Sequence, residues 1–335
     1  MLKFKDFFTA LFVTVLVALP AVSMAQGGGE VTVPVMTGSK SGSYFKFASQ
    51  AASVCAADIR LEVKESAGST ANLDALEAND TALAISQIDI MDLYKKTKDM
   101  SNVKVLVPLF PEQVHFVTRS DVVKVEGGVT ILGRNFGGDK TQLQTALDLA
   151  NRKVAAAGGS FKTAQVISYL GGLPMQLTEV GGADAAIAGV VNGTYDAAIL
   201  VGAQPLGTIT AMGDRQKSLR LLPVPEALMS KLGVVYTKAS PLTYRTMGAG
   251  GDNVPAIQVM SALVTQNYPK SAIGDSIYRF QQCLLREASQ QATIPGNHPA
   301  WRNLKLTTGL NWDIWQYQGA QTLSQGGQVQ GTRRK

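Results

Sequence analysis

Three stretches of the sequence place glycines and small polar residues directly before a helix-forming run. They are TGSKSGSY (Thr37–Tyr44), ESAGSTANL (Glu65–Leu73) and AAGGSFKTA (Ala156–Ala164). Each would set hydroxyls and backbone N–H groups at a helix N-terminus, where four N–H groups lack intrahelical partners and the helix dipole is positive. Such a start binds an anion without an arginine. Together the loops predict a site for a small polar ligand, although any one of them alone is more typical of a cap or turn.

Other chemistries find little support in the residue types. His115 and His298 lie far apart in the sequence, and no metal-ligand spacing or Gly-x-Ser-x-Gly elbow occurs. A hydrolase using Ser43 or Ser69 as its nucleophile would need a base within hydrogen-bond reach, and neither histidine is an obvious one. We therefore expect no catalysis, metal or cofactor, with a secreted Ser-dependent hydrolase as a remaining alternative.

The chain has two cysteines, Cys55 in the first predicted helix and Cys283 in a late one. A disulfide between them is possible in an oxidising compartment if their Cα atoms come within about 7 Å. Two buried free thiols are the alternative.

The N-terminus reads as a secretory signal peptide. Lys3 and Lys5 precede the apolar run Phe7–Leu19, and Ser23–Ala25 offers small residues at a cleavage point. The run is shorter than the about 20 residues of a membrane span. We expect residues 1–25 to be removed and the protein to be periplasmic.

The basic character of the chain lies mainly at its ends. Of the formal net charge of +6, Arg333, Arg334 and Lys335 contribute +3, so the pI of 9.2 does not indicate a basic face in the fold. We therefore expect no nucleic-acid partner. The last stretch, 319–335, has no apolar pattern and is expected to be a disordered basic tail.

Strand-like and helix-like runs alternate, which predicts an α/β fold with a mainly parallel sheet. The pattern starts at Val31, restarts near Arg152, and ends in two predicted helices, Ala256–Asn267 and Ile273–Ser289. We also expect Ser160 to cap the helix that follows the third loop. Before it, KVLVPLF and QVHFVTRS read as two separate strands.

The restart predicts two α/β lobes with a cleft and a hinge between them. Lobe one comprises 31–114 plus 237–318, and lobe two comprises 119–235. A glycine-rich insertion at about 120–144 is expected to form a surface hairpin or loop. The two passages between lobes fall near 115–120 and 233–238.

Four segments carry a family resemblance: TGSKSGSYFKFA, SAGSTANLDALEANDTALAISQIDI, RKVAAAGGSFKTAQVISYLGGL and VNGTYDAAILVGAQP. They resemble the TAXI-family solute-binding proteins of TRAP (tripartite ATP-independent periplasmic) transporters. The first resembles that family's Thr-Gly-Gly-x-Gly-Gly-x-Tyr-Tyr opening, and the second its Thr-Gly-Gly-Ser-x-x-Asn-Leu stretch followed by Gln-x-Asp.

The resemblance implies a type 2 periplasmic-binding-protein fold and a non-enzymatic function. The protein would capture a small organic anion or amino acid that carries a carboxylate and is glutamate- or 2-oxoglutarate-like. It would deliver this ligand to a TRAP-type membrane permease. Feeding a sensor or another permease is an alternative. Carried over residue by residue, the implied ligand-binding positions are Ser41, Gly42, Ser43, Tyr44, Gly68, Ser69, Thr70, Gln87, Gly159, Ser160, Gly202 and Gln204.

Several of these side chains have a second interpretation. Tyr44 could be a core residue at a helix start, and Gln87 could be an ordinary hydrogen-bonding residue at a strand end. Asp89 is interpreted as a helix cap rather than a ligand-binding group. Three cations that could neutralise an anionic ligand are more typical of solvated surface: Lys40, Arg134 and Lys140.

Overall fold

The computed structural model describes residues 31–40, 42–121, 123–124, 129–131, 134–136, 140–306 and 310–317. Between 122 and 140 it describes backbone pairing only. The predicted signal peptide, the predicted tail and Ser41 lie outside the described residues. No helix in the described part combines the length and apolarity needed to cross a membrane.

The first half of the fold alternates strands and helices as the sequence predicts. Its elements are β1 (Thr32–Met36), α1 (Ser43–Val54), β2 (Arg60–Lys64), α2 (Ser69–Glu77), β3 (Leu83–Gln87), α3 (Ile88–Lys95) and the long strand β4 (Val103–Arg119). The predicted insertion at 120–144 contains two short antiparallel ladders. They pair β5 (Val123–Lys124) with β8 (Lys140–Thr141), and β6 (Val129–Ile131) with β7 (Arg134–Phe136).

The second half repeats the pattern and then returns to the first. Its elements are β9 (Lys153–Ala156), α4 (Gly158–Gly171), β10 (Gln176–Glu179), α5 (Ala183–Val191), β11 (Ala197–Gly202), α6 (Gly207–Thr210), β12 (Leu219–Leu221), α7 (Glu226–Leu232) and β13 (Thr237–Lys238). The chain closes with β14 (Ile257–Gln266) and α8 (Ala272–Gln291), which packs on the first half.

One mixed sheet of ten strands joins the halves, in the order β10-β9-β11-β4-β14-β3-β1-β2, with β12 on β4 and β13 on β14. Each half contains three parallel strands with its first strand in the middle, flanked by an antiparallel strand. Those flanking strands, β4 and β14, are the two long strands that pass between the halves. This repeated topology confirms the predicted α/β fold of the type 2 periplasmic-binding class. The sheet is mixed rather than mainly parallel, because β4 and β14 pair antiparallel with each other and with their neighbours.

Two sequence predictions about these long strands are wrong. Ala256–Asn267 is not a helix but contains β14, whose strand state is imposed by pairing with β3 on one side and β4 on the other. The two strands predicted around Pro111 are one strand, β4. Pro108 and Pro111 lack the N–H of a regular ladder, and register irregularities lie beside both.

The chain returns from the second half later than predicted. Ala239, Tyr244, Met247 and Ala256 pack in one core cluster with residues of β11 and β12. The return passage therefore lies near the start of β14 rather than at 233–238. A larger core cluster contains residues of α2 and α3 together with residues of α4 and α7, so the halves also share apolar packing.

The two cysteines are joined by a disulfide, with the Cα atoms 5.9 Å apart. It ties the end of α1 to the middle of α8. Of the two arrangements considered from the sequence, the structure therefore contains the bonded one.

Candidate ligand site

The three helices that follow the glycine-rich loops begin without a side-chain cap. Their N-cap residues are Gly42 for α1, Gly68 for α2 and Ala157 for α4. Four other helices in the described structure, α3, α5, α6 and α7, also lack such a cap, and the Ser271 hydroxyl caps α8. Free helix starts are therefore compatible with the anion-site hypothesis but do not single out these three loops.

The starts of α2 and α4 lie against each other. A Cβ added to Gly158, which has φ +49°, would lie 2.5 Å from the Ala67 carbonyl oxygen. A Cβ on Gly68, with φ +100°, would come within 4.0 Å of the Gly159 backbone nitrogen. Only glycine permits this approach, because both residues adopt left-handed backbone angles and one has backbone directly over it. The second and third loops thus meet where the two halves touch.

The Gln87 side chain lies at this meeting point. It is 4% exposed, and its Oε1 accepts a hydrogen bond from Ser69 Oγ at 3.3 Å. The backbone N–H of Gln87 donates a hydrogen bond to the same Ser69 oxygen. A Cβ on Gly159 would lie 2.6 Å from Gln87 Oε1, so the amide sits between the starts of α2 and α4. Gln87 Nε2 is buried without a hydrogen-bond partner among the described residues.

Tyr44 extends this cluster to the long strand β4. Its hydroxyl donates a 2.5 Å hydrogen bond to Glu112 Oε2. Burial and the negative Glu112 raise the pKa of Tyr44 well above its usual value, while the neighbouring Ser69 hydroxyl acts in the opposite direction. Tyr44 is buried in the first-half core, as its core interpretation predicts, and its contact with a ligand stays a prediction.

Glu112 was not identified from the sequence. It is 4% exposed, and burial raises its pKa to about 8, with Asp89 adding to the shift and the Tyr44 hydrogen bond opposing it. A carboxylic acid alone in the apolar run VLVPLFPEQVHFV is the signal that could have found it.

Asp89 joins the two halves and does not cap a helix. The predicted cap role is wrong, because the N-cap of α3 is Gln87 and Asp89 lies inside the helix, where it accepts from the Ile90 N–H. Its other oxygen accepts from Thr163 Oγ1 of α4 at 2.6 Å and from the Tyr236 hydroxyl at 2.8 Å. Burial raises the pKa of Asp89 to about 6, although these hydrogen bonds act to lower it. Sequence reasoning missed Thr163 and Tyr236, which have no local motif.

The remaining predicted residues lie around this cluster. The Ser160 hydroxyl accepts from the Val201 N–H, so it supports β11, and the expected N-cap role is wrong because α4 begins two residues earlier. Gly202 pairs with Gln113, beside Glu112, and Gln113 Oε1 accepts from the Gln204 N–H.

Thr70 lies in the first turn of α2, and its buried Oγ1 has no partner among the described residues. Gly42 donates its N–H to the Ser39 carbonyl, and Ser43 is the half-buried first residue of α1.

No lysine or arginine belongs to the buried residues of the described part. Lys40 is exposed, which matches its surface interpretation, and the side chains of Arg134 and Lys140 lie outside the described ones. His115 and His298 are buried, and their pKa values fall to about 4 through desolvation. The buried acidic groups at the meeting of the halves are Asp89 and Glu112.

The described structure gives neither hydroxyl of the hydrolase hypothesis a histidine partner. His115 Nε2 lies 2.9 Å from the Tyr244 hydroxyl, and His298 Nδ1 accepts from the Ala300 N–H. No group of three or more metal-ligating side chains occurs in the described part.

Comparison with known proteins gives one family match and several distant structural similarities. A family model described as the NMT1-like family matches residues 35–279. No match was found among curated proteins.

Three solved structures are similar over most of their length. The substrate-binding protein of an amino acid ABC transporter has 14% identity and a TM-score of 0.46, covering 78% of this chain and 94% of that one. The GluR0 ligand-binding core from Nostoc punctiforme with L-glutamate has 15% identity and a TM-score of 0.47, covering 77% and 93%. A mutant of arginine-bound ArgBP from T. maritima has 13% identity and a TM-score of 0.44, covering 75% and 95%.

Proposed function

The chain belongs to the NMT1-like family, and from that premise we propose that it is an exported, non-enzymatic solute-binding protein. It captures one small organic anion or amino acid between its two halves. The observation that carries this proposal is the Gln87 amide, buried between two uncapped helix starts with its Nε2 donor unpartnered among the described residues. A ligand carboxylate would accept from that donor and from the N–H groups of α2 and α4.

Delivery to a TRAP-type permease in the periplasm is the finer part of the proposal. It is supported by the sequence resemblance of the first two loops and by the signal-peptide pattern of residues 1–25. N-terminal sequencing of native protein tests the export step, because an intact Met1 would contradict it. Uptake of the identified ligand by cells with and without the chain tests the delivery step.

Mass spectrometry of small molecules released from natively purified protein tests ligand capture. Calorimetry with the released compound then compares wild type, Gln87→Leu and Gln281→Leu. Gln281 is a matched control, since it is also 4% exposed and its Nε2 donates to the Leu106 carbonyl within the first half. We expect affinity to fall at least tenfold in Gln87→Leu only. Equal affinities in all three proteins would contradict the proposed site.

A further inference from the structure

Glu112 stands where the two long passages and both halves meet. It pairs with Val259 of β14, and the next residue, Gln113, pairs with both Gln258 and Gly202. Tyr44 donates to Glu112 and also interacts with the Ser69 hydroxyl, which bonds Gln87, so Tyr44 connects Glu112 to the Ser69–Gln87 cluster. A carboxyl group at this position belongs to the same polar cluster as the unpartnered Gln87 amide.

The described protein offers this carboxyl group no cation. The buried part of the described chain contains no lysine or arginine, and its two buried histidines have lowered pKa values and are neutral at pH 7. Its described partner, the Tyr44 hydroxyl, is a neutral donor. A buried carboxyl group without a cationic partner either holds a proton or receives positive charge from a ligand.

The two ends of the cluster have opposite requirements. At one end, Gln87 Nε2 and the starts of α2 and α4 offer N–H donors, which suit a carboxylate. At the other end, Glu112 offers carboxyl oxygens, which suit an ammonium or another basic nitrogen. A second ligand carboxylate facing Glu112 would be repelled or would need its own proton.

We infer that Glu112 is the residue that sets ligand charge, and that the ligand is a zwitterion of the amino acid class. Its carboxylate faces Gln87 and its basic nitrogen faces Glu112. This inference rests on the proposed function and narrows its ligand class, because acids without a basic nitrogen bind more weakly.

A proton balance accompanies this binding. The titratable groups that act on Glu112 are Tyr44 from α1 and Asp89 from α3, and the pKa of Glu112 lies at about 8. At pH 7 the carboxyl group is thus mostly protonated, and an approaching ammonium lowers its pKa. Wild-type protein therefore releases a proton when it binds an amino acid at pH 7, whereas Glu112→Gln does not.

Matched ligand pairs test this inference by calorimetry in buffers of different ionisation enthalpy. The pairs are L-glutamate with 2-oxoglutarate and L-leucine with 4-methyl-2-oxopentanoate, which differ in an ammonium against a carbonyl. The compound released from native protein is titrated beside them. Proteins are wild type, Glu112→Gln and the control Glu62→Gln, whose carboxylate is exposed beside Lys64.

In whichever of the two pairs binds, we expect the amino acid to bind at least tenfold more tightly than its oxo acid and to release a proton on binding. Glu112→Gln loses this preference and Glu62→Gln keeps it. Equal or tighter binding of the oxo acid, a released ligand without a basic nitrogen, or an unchanged preference in Glu112→Gln overturns the inference and leaves the proposed function standing. Absence of any bound or released small molecule overturns both. If Glu112→Gln does not fold, the test is whether wild type releases a proton when it binds an amino acid. Binding without proton release overturns the inference.

Discussion

At the scale of single residues, the contact between the halves depends on glycine. Gly158 has φ +49° and its added Cβ would meet the Ala67 carbonyl oxygen, whereas Gly213 has φ +55° with nothing within 4 Å of its Cβ. Gly158→Ala and Gly213→Ala therefore share the backbone strain, about 1 kcal/mol or slightly more. We expect only Gly158→Ala to weaken ligand binding as well, by roughly tenfold, because its Cβ displaces the start of α2.

Chemical unfolding and calorimetry on both variants measure these two effects separately. Similar ligand affinities for the two alanine variants would mean that the approach of α4 to α2 is irrelevant to binding.

The buried acids predict an unusual dependence of stability on pH. In the folded protein the pKa of Glu112 is raised from 4.5 to about 8, so its stabilising contribution is complete below pH 4.5 and is lost as pH rises to 8. Asp89 behaves likewise between 3.8 and about 6. His115 and His298, with pKa values lowered to about 4, oppose this trend only below 6.5.

Of these four groups, only Glu112 therefore makes stability depend on pH between pH 6.5 and 8. There we expect the free energy of unfolding to fall by at most about 2 kcal/mol. Urea unfolding at several pH values should find this fall in wild type and in Glu62→Gln, but not in Glu112→Gln. A flat wild-type profile would contradict the burial of an unpaired acid.

Sequence reasoning found part of the cluster and missed the rest for a physical reason. Ser69, Gln87 and Gly159 lie in or beside loops whose glycines and hydroxyls are legible locally. Thr163 and Tyr236 contact Asp89 across 74 and 147 positions of the chain. No local pattern encodes such a contact, because it depends on how two halves pack.

At the scale of elements, the alternation of strands and helices was predictable because each element carries its own periodicity. The exception is β14, whose apolar residues Ile257, Val259 and Leu263 fit a buried strand and a buried helix equally well. The pairing of β14 with a strand on each side makes it a strand. One of these partners, β4, lies about 150 positions earlier in the sequence.

The disulfide between α1 and α8 makes a prediction about stability alone. It closes a sequence separation of 228 residues, and its removal should cost roughly 2–4 kcal/mol. Cys55 lies about 16 Å along α1 from Tyr44, so ligand affinity should not change. The double variant Cys55→Ala/Cys283→Ala, measured by urea unfolding and calorimetry, checks both statements.

Reductant provides the control for this variant. It should lower the stability of wild type to the level of the double variant and leave the variant itself unchanged. A double variant as stable as oxidised wild type would rule out a stabilising role for this bond.

At the scale of the whole molecule, Asp89 connects the two halves through Thr163 and Tyr236. If closure of the halves accompanies ligand binding, removing one of these hydrogen bonds favours the open arrangement. We expect Thr163→Val to lower ligand affinity roughly tenfold, as a hydrogen bond to a charged group is worth about 1.5–3 kcal/mol. Thr210→Val is the control, because its exposed hydroxyl bonds only carbonyls of its own turn among the described contacts.

Small-angle X-ray scattering checks the structural side of this prediction. Without ligand, Thr163→Val should have a larger radius of gyration than wild type, and Thr210→Val should match wild type. Identical radii and affinities for all three proteins would mean that Asp89 does not govern the relation of the halves.

The most direct test of the central claim is an experimental structure of the protein with the small molecule that co-purifies with it. We predict a ligand acceptor within hydrogen-bond distance of Gln87 Nε2, bounded by Ser69 and Gly159. Its basic nitrogen should face Glu112. The structure also has a surface cavity of about 460 Å³ lined by residues that include Lys98, Lys104 and Trp312. Ligand bound there, with the Gln87 amide untouched, would contradict the account.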